Sequence, residues 1–401
     1  MALLMREWRG LQRRGHRRIL ALLTGDSSAE AQKNITSACT QSEQPWLSAL
    51  YGAVVALKRR RELSRATRIT VPHVPVLSVG NVTFGATGKT PCVLLLTEMA
   101  LQHSRDRRRE RVPMLLTRGY GDDEWRLFQS AFPECKLAIG PDRLRVGAER
   151  ASAFGSQLSC VVLDDGLQQW RMCKDLELVM VDALHPFGNG RLIPHGSLRE
   201  RPRDALARAD VIVVHHANLL RSQASLDALK AALLACSQSA SDRCRQPIIA
   251  TSQMRVKRLV RVSDMLSNKH HSNASEDASD DDLDEKLKDS IALVVCGVGN
   301  PASVELVVRA MGCWQQVDME AFPDHHSFSR ADMSDLALVV ERMRARTQRQ
   351  VVVVTTEKDF FRAPQRMEEL ARSCDLRVLQ CELELLENAD VVRQRVHDLL
   401  Q

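Results

Sequence analysis

Lys89 and Thr90 close a run that carries Gly80, Gly85 and Gly88. The run follows the short β-branched stretch Val76-Leu77-Ser78-Val79 and precedes the apolar stretch Cys92 to Met99. A buried strand, a glycine-bearing loop and a helix in that order form a phosphate cradle. Glycines let backbone N–H groups approach phosphate oxygens, and the helix N-terminus adds partial positive charge. In such a cradle Lys89 reaches the β- and γ-phosphates and Thr90 offers its hydroxyl to Mg²⁺. The strict motif has glycine five residues before Gly88, where this chain has Thr83, and an ordinary strand-to-helix turn is the alternative.

Two further groups of residues have types suited to phosphoryl transfer. Asp164 and Asp165 end the apolar run Cys160 to Leu163, the place where nucleotide-binding sheets put the acid that positions Mg²⁺. Aspartates that cap a helix or fix a bend give the same pattern. A carboxylate beside the attacking hydroxyl must also take its late proton, and Asp122, Asp123 and Glu124 stand just past Arg118. Phe322-Pro323-Asp324-His325-His326 is the other cluster. Adjacent histidines diverge, so metal ligation is a weak reading, whereas a His–Asp pair formed across two domains is stronger chemistry.

The elements that must position these groups alternate. Strands read at Val76–Val79, Pro113–Thr117, Cys160–Leu163, Leu176–Val181 and Ala209–Val214, with helical stretches between them. This predicts an α/β fold with a parallel sheet and helices on both faces. Ligands of such sheets bind beyond the carboxyl ends of the strands, and Gly80, Arg118, Asp164 and Asp182 all follow strand ends. His103 to Arg111 reads as a basic, solvated connector. Residues 247–262 alternate like a two-stranded connection. Residues 263–290 turn polar and acidic, too poor in apolar groups to bury a core, and read as a disordered insertion. A second alternating unit, 291–401, holds strands at Ile291–Cys296 and Val351–Thr355. Gly297 to Asn300 lacks a following Lys-Ser or Lys-Thr and reads as a tight turn.

Composition bounds the function. The 401 residues suffice for two domains, and 44% hydrophobic with 26% charged residues is the balance of a soluble globular chain. A net charge of +6 and 4% aromatics argue against nucleic-acid binding. The 11 cysteines are scattered with no Cys-x-x-Cys pair, which favours a reducing compartment over a disulfide framework or zinc site. Residues 1–44 begin arginine-rich and acid-poor and then turn small and polar, the pattern of a transit peptide, mitochondrial ahead of plastid. Trp46 to Leu57 is apolar, too short to span a bilayer, and is followed by Lys58-Arg59-Arg60-Arg61. It suits a helix at an anionic membrane surface or a buried first helix. No stable protein partner is implied.

In this order, Val76 to Pro91, Arg118-Gly119-Tyr120-Gly121, Asp164-Asp165-Gly166-Leu167-Gln168, Phe187-Gly188-Asn189-Gly190, Leu198-Arg199-Glu200, Phe322 to His326 and Thr355 to Asp359 resemble the tetraacyldisaccharide 4′-kinase family, the lipid A 4′-kinases, from about Trp46 to the C-terminus. The resemblance accounts for Thr83, because the family's loop runs over Asn81, Thr83, Gly85, Ala86, Thr87, Gly88, Lys89, Thr90 and Pro91, with glycine usual at the Ala86 position. It implies an α/β P-loop domain (45–246) with an N-terminal membrane-interface helix, joined by a two-stranded linker to a smaller α/β/α domain. It implies ATP and Mg²⁺ as cofactors, and transfer of the γ-phosphate to the 4′-hydroxyl of an acylated glucosamine disaccharide 1-phosphate. Lys89, Arg118 and the loop would then meet the nucleotide. Thr90, Asp164, Asp165 and Glu200 would meet the metal, and Asp123 with His325 would form the base pair. The segment before Asp123 is shorter than is usual in the family and Trp125 replaces a proline, so Asp122 remains a second candidate base. With the acidic insertion and the transit-like start, this suggests an organellar eukaryotic homologue. The alternatives are another P-loop NTPase, a membrane-attached nucleotide-binding protein without catalysis, and a location at the cytoplasmic face of a bacterial inner membrane.

Overall fold

The computed structural model describes residues 44–69, 74–108, 110–119, 123–238, 246–266 and 287–401. The expected transit segment before residue 44, Asp122 and residues 267–286 of the acidic insertion lie outside them. Contacts divide the described chain into two compact units. One holds residues up to 119 with 128–253 and 383–401, and the other holds 123–127 with 254–266 and 287–382.

The first unit is built on β1 (Val76–Asn81), β2 (Val112–Thr117), β3 (Lys136–Ile139), β4 (Leu158–Asp164), β5 (Leu176–Asp182), β6 (Val211–His215) and the start of β7 (Ile248–Arg261). Their order is β3-β2-β4-β1-β5-β6-β7, with parallel pairs from β3 through β7. Every residue of β1 and β5 is buried, as a parallel sheet covered on both faces requires. Its helices include α1 (Trp46–Leu63), α2 (Lys89–Asp106), α4 (Arg143–Phe154), α5 (Pro202–Leu206), α6 (Gln223–Gln238) and α12 (Ala389–Leu400), and α3 (Asp123–Ala131) ends in it. Leu226, Leu229 and Leu233 of α6 repeat at helical spacing and pack with Val179, Val181, Ile212 and Val214.

β1 lies between β4 and β5, so the chain leaves it toward one side of the sheet and later returns to the other. That switch opens a crevice beyond the carboxyl end of β1, where the loop after β1, Asp164 ending β4 and Asp182 ending β5 meet. The expected connector at His103 is helical instead: α2 continues to Asp106 and buries His103 and Ser104.

The second unit contains β8 (Ile291–Cys296), β9 (Gln316–Ala321), β10 (Val351–Thr356) and most of β11 (Asp375–Leu385), in the order β11-β10-β8-β9. Its helices are α7 (Val262–Leu266), α8 (Pro301–Ala310), α9 (Arg330–Thr347), α10 (Glu357–Arg362) and α11 (Pro364–Ala371). Asn300 caps α8 by accepting from the Ser303 N–H, which makes Gly297 to Asn300 the turn expected. Ser329 and Asp332 form a reciprocal cap at the start of α9.

Several boundaries differ from those expected. Residues 248–261 form one strand, not two, and residues 383–401 belong to the first unit. The edges of the acidic insertion are ordered: 263–266 complete α7, and Leu287 is 1% exposed in an apolar cluster with Val294 and Val317. Five of the eight free cysteines described are buried. Cys236 is disulfide-bonded, which spacing along the chain does not report, since pairing depends on which backbone segments approach.

Candidate active site

The loop after β1 is shaped from within. Asn81 is fully buried; its amide donates to Thr87 Oγ1 at 2.9 Å and approaches the Gly85 carbonyl at 3.4 Å. Gly88, at φ +82°, is the N-cap of α2, and no side chain caps this end of the helix. A Cβ on Gly88 would lie 2.5 Å from His215 Cδ2, so only glycine fits between the loop and that ring. Lys89 and Thr90 open the helix, and Pro91 follows where a missing N–H costs nothing. Thr83 is buried and bridges Leu198, Gly85 has φ +111°, and Ala86 is exposed.

Lys89 Nζ lies 4.0 Å from Asp165 Oδ1. Asp165 has φ +50°, a left-handed bend that turns its carboxylate toward the loop. Arg199 Nη1 donates to both its oxygens, at 2.6 and 2.9 Å. Burial alone would raise the Asp165 carboxyl; Lys89, Arg199 and Arg143 outweigh it and hold the group below the ordinary carboxylate range. Asp164 is buried and accepts from Thr117 Oγ1 at 3.2 Å. Arg143 secures the bend by donating to the carbonyls of Asp164 and Asp165, each at 2.9 Å. Arg118 follows β2 and is exposed.

Glu200 is enclosed by donors. It is 1% exposed, and its oxygens are engaged by Arg208 at 2.8 Å, Gln168 at 3.1 Å and Arg59 at 3.4 Å. Gln168 also donates to the Asn81 carbonyl at 3.1 Å. Glu200 therefore organises the surroundings of the loop.

In the second unit, Asp359 is fully buried and accepts from the Gly297 N–H at 3.1 Å with both oxygens, from Thr356 Oγ1 at 2.7 Å and from Arg362 at 2.9 Å. The Gly297 carbonyl in turn accepts from the His325 N–H at 3.1 Å. His325 is exposed at φ +57°, with Nε2 4.0 Å from Asp324. His326 is structural: it pairs with Asp332 at 3.0 Å and stacks on Phe322.

Asp123 is the first residue of α3, and its side chain lies outside the described residues. The first turn of α3 joins the second unit, because Glu124 pairs with Lys358 of α10 at 2.7 Å and Arg126 donates to the Phe361 carbonyl at 3.4 Å. The Asp123–His325 pair expected across two domains thus has both members in one unit. Sequence reasoning assigned no role to Arg143 or His215, and read Tyr51 only as an interfacial aromatic beside Trp46. The first two are a basic residue of a helix and a β-strand terminus, and neither has a local signal that separates it from the core.

Helix α1 places Ser48 and Gly52 against the first unit and exposes Trp46 (73%), Leu50 (57%), Val54 (58%) and Leu57 (72%). These positions repeat on one face, which removes the buried-helix alternative. Arg59 turns inward to Asp204 at 2.9 Å and to Glu200, whereas Lys58, Arg60 and Arg61 are exposed. No helix among the described residues is long and apolar enough to cross a membrane.

A phosphate loop at the switch point of a parallel sheet, faced by an aspartate pair, defines the class of α/β P-loop proteins. A solved structure described as LpxK from Aquifex aeolicus in complex with ATP shares the fold, with a TM-score of 0.54 at 18% identity over 88% of this chain and 98% of that one. The model of the tetraacyldisaccharide-1-P 4′-kinase family matches residues 45–401, and the chain belongs to that family. The chain is accordingly a phosphotransferase of lipid A biosynthesis. Among its relatives, a probable mitochondrial tetraacyldisaccharide 4′-kinase of Arabidopsis thaliana is 31% identical over 79% of this chain and 80% of the relative. A tetraacyldisaccharide 4′-kinase of Syntrophus aciditrophicus is 32% identical over 78% and 80%.

Proposed function

We propose that this chain transfers the γ-phosphate of ATP to the 4′-hydroxyl of an acylated glucosamine disaccharide 1-phosphate at a membrane surface. The observation that carries this reading is the uncapped start of α2 behind Gly88, with Lys89 4.0 Å from an Asp165 that Arg199 also holds. Residues 81–90 receive the phosphates, with Lys89 and Arg118 as their cations. The Asn81 Oδ1, buried without a partner among the described residues, suits a loop that completes its bonding when filled.

The donor set also fits a hard divalent ion: the Thr90 hydroxyl and the carboxylates of Asp164 and Asp165 are all oxygens. Bound there, Mg²⁺ neutralises charge on the transferring phosphate. Glu200, linked through Gln168 to Arg199, is the further oxygen donor that the resemblance implies. Asp123 takes the proton of the 4′-hydroxyl as the new O–P bond forms and the bond to the ADP oxygen breaks. His325, its partner in the family resemblance, would orient the carboxylate.

The exposed stripe of α1 with Lys58, Arg60 and Arg61 supports binding in the interface of an anionic bilayer, where the acylated acceptor resides. The arginine-rich start and the mitochondrial designation of the Arabidopsis relative support an organellar location. The test is turnover of labelled ATP with a panel of lipid A precursors. Wild type should phosphorylate the 4′-position, and Lys89→Ala and Asp165→Ala should abolish transfer with the melting temperature kept. Near-wild-type turnover of these variants would refute the site.

A further inference from the structure

Helix α1 reaches the phosphate loop through a short strap, residues 192–200. On one side of the strap, Ser48 Oγ donates to the Leu192 carbonyl at 2.7 Å and the Tyr51 hydroxyl donates to the Arg199 carbonyl at 2.9 Å. On the other side, the strap lies along the loop. Thr83 bridges Leu198, the Phe84 N–H donates to the Ser197 carbonyl at 2.8 Å, and the Arg199 N–H donates to the Val82 carbonyl at 2.9 Å. Arg199 is therefore held through both its backbone groups, by the loop and by α1. Its guanidinium bonds both oxygens of Asp165 and stacks 4.6 Å over the exposed ring of Phe84.

The geometry points to Tyr51 as a positioning residue of the nucleotide site, one that sets Arg199 against Asp165 from a helix whose opposite face carries the apolar stripe. This rests on reading Lys89 and Asp165 as phosphate and metal groups. The physical reason is the length of the arginine side chain. Its head reaches two carboxylate oxygens at once only while the backbone that carries it is fixed, because the rotamer freedom it gives up is large. With the Arg199 carbonyl released, the guanidinium spends less time on Asp165, and the carboxylate beside Lys89 loses its second cation. Burial, then Glu200, raises the Tyr51 hydroxyl above its ordinary value of 10.0, so it remains a donor at neutral pH. The helix that meets lipid and the helix that orders the site are then the same element.

The test is calorimetric binding of ATP with Mg²⁺ to the full chain, at a temperature well below unfolding, for wild type, Tyr51→Phe, Arg199→Lys and the double variant. Loss of one hydrogen bond predicts an affinity about 3–10-fold weaker for Tyr51→Phe, with the unliganded melting temperature lowered by no more than about 4 °C. Because Tyr51 acts through Arg199, the double variant should bind little more weakly than Arg199→Lys alone. Tyr51→Met, which fills similar space without a hydroxyl, should repeat the Tyr51→Phe result. Wild-type affinity in Tyr51→Phe, or losses that multiply in the double variant, would overturn the proposal. Failure of wild type itself to bind ATP would overturn it too, and would locate the fault in the phosphate-loop reading.

Discussion

Replacing Gly88 by alanine tests the loop at its tightest point. The backbone there has φ +82°, and the new Cβ would stand 2.5 Å from Cδ2, 2.8 Å from Nε2 and 2.9 Å from Cγ of His215. The ring has nowhere to go. It is 1% exposed, its Nδ1 is 2.9 Å from Ser252 Oγ, and it lies against His216 with ring centroids 3.9 Å apart. A left-handed alanine costs about 1–2 kcal/mol, and overpacking a closed site costs about 1–3 kcal/mol more. If the fold takes the strain, urea unfolding should shift by about 2–5 kcal/mol. If the loop gives way instead, the same energy appears as ATP affinity lost, at tenfold for each 1.4 kcal/mol or so. Gly85→Ala is the control. Its φ is +111° but nothing lies within 4 Å of the added carbon, so only backbone strain applies. Adding His215→Ala to Gly88→Ala should return the overpacking share and leave the backbone share. A Gly88→Ala protein with unchanged unfolding and unchanged ATP affinity would refute the reasoning, as would a second substitution that brings no relief.

Three other outcomes are expected. In sedimentation with anionic vesicles, Arg60→Ser and Arg61→Ser should each weaken binding by about 1 kcal/mol in a salt-sensitive way, whereas Arg59→Ser should lower stability by leaving Glu200 without one of its cations; equal effects of all three on vesicle binding would contradict the inward turn of Arg59. Burial and then His216 push the His215 pKa well below its ordinary 6.5, so the unfolded chain takes up the proton first and stability is lost as pH falls below about 6.5, at up to about 1.4 kcal/mol per unit; His215→Asn should flatten that part of the slope between pH 7 and 5, and an identical slope would refute the neutral ring. Asp123→Ala and His325→Ala should each lower kcat by roughly 10²–10⁴-fold with ATP affinity kept, and the double variant should lose little more; losses that multiply would separate the two roles, and a crippled Asp122→Ala would move the base by one residue.

Much of the chemistry is local and therefore legible in the chain. A β-branched run before spaced glycines and Lys-Thr specifies strand, loop and helix start through backbone preferences alone, and an apolar run ending in Asp164-Asp165 specifies a strand end with carboxylates beyond it. Alternation of such units determined the α/β class. Strands β3, β9 and β11 were not legible, because Lys136–Ile139 is four residues long and Gln316–Ala321 and Asp375–Leu385 mix polar with apolar positions. Their state was decided by the neighbours they pair with. The same holds for the site's supports. That Gly88 rests on His215, that Arg199 holds Asp165, and that Asp123 and His325 share one unit are facts about residues far apart in the chain, such as Gly88 and His215. Only the order of strands around β1 and the packing of α1 and α3 bring them together. Hydrogen bonds and buried contacts between distant segments leave no periodicity in sequence, so tertiary structure alone decides which charged residues gather at the loop and which are spent holding the fold.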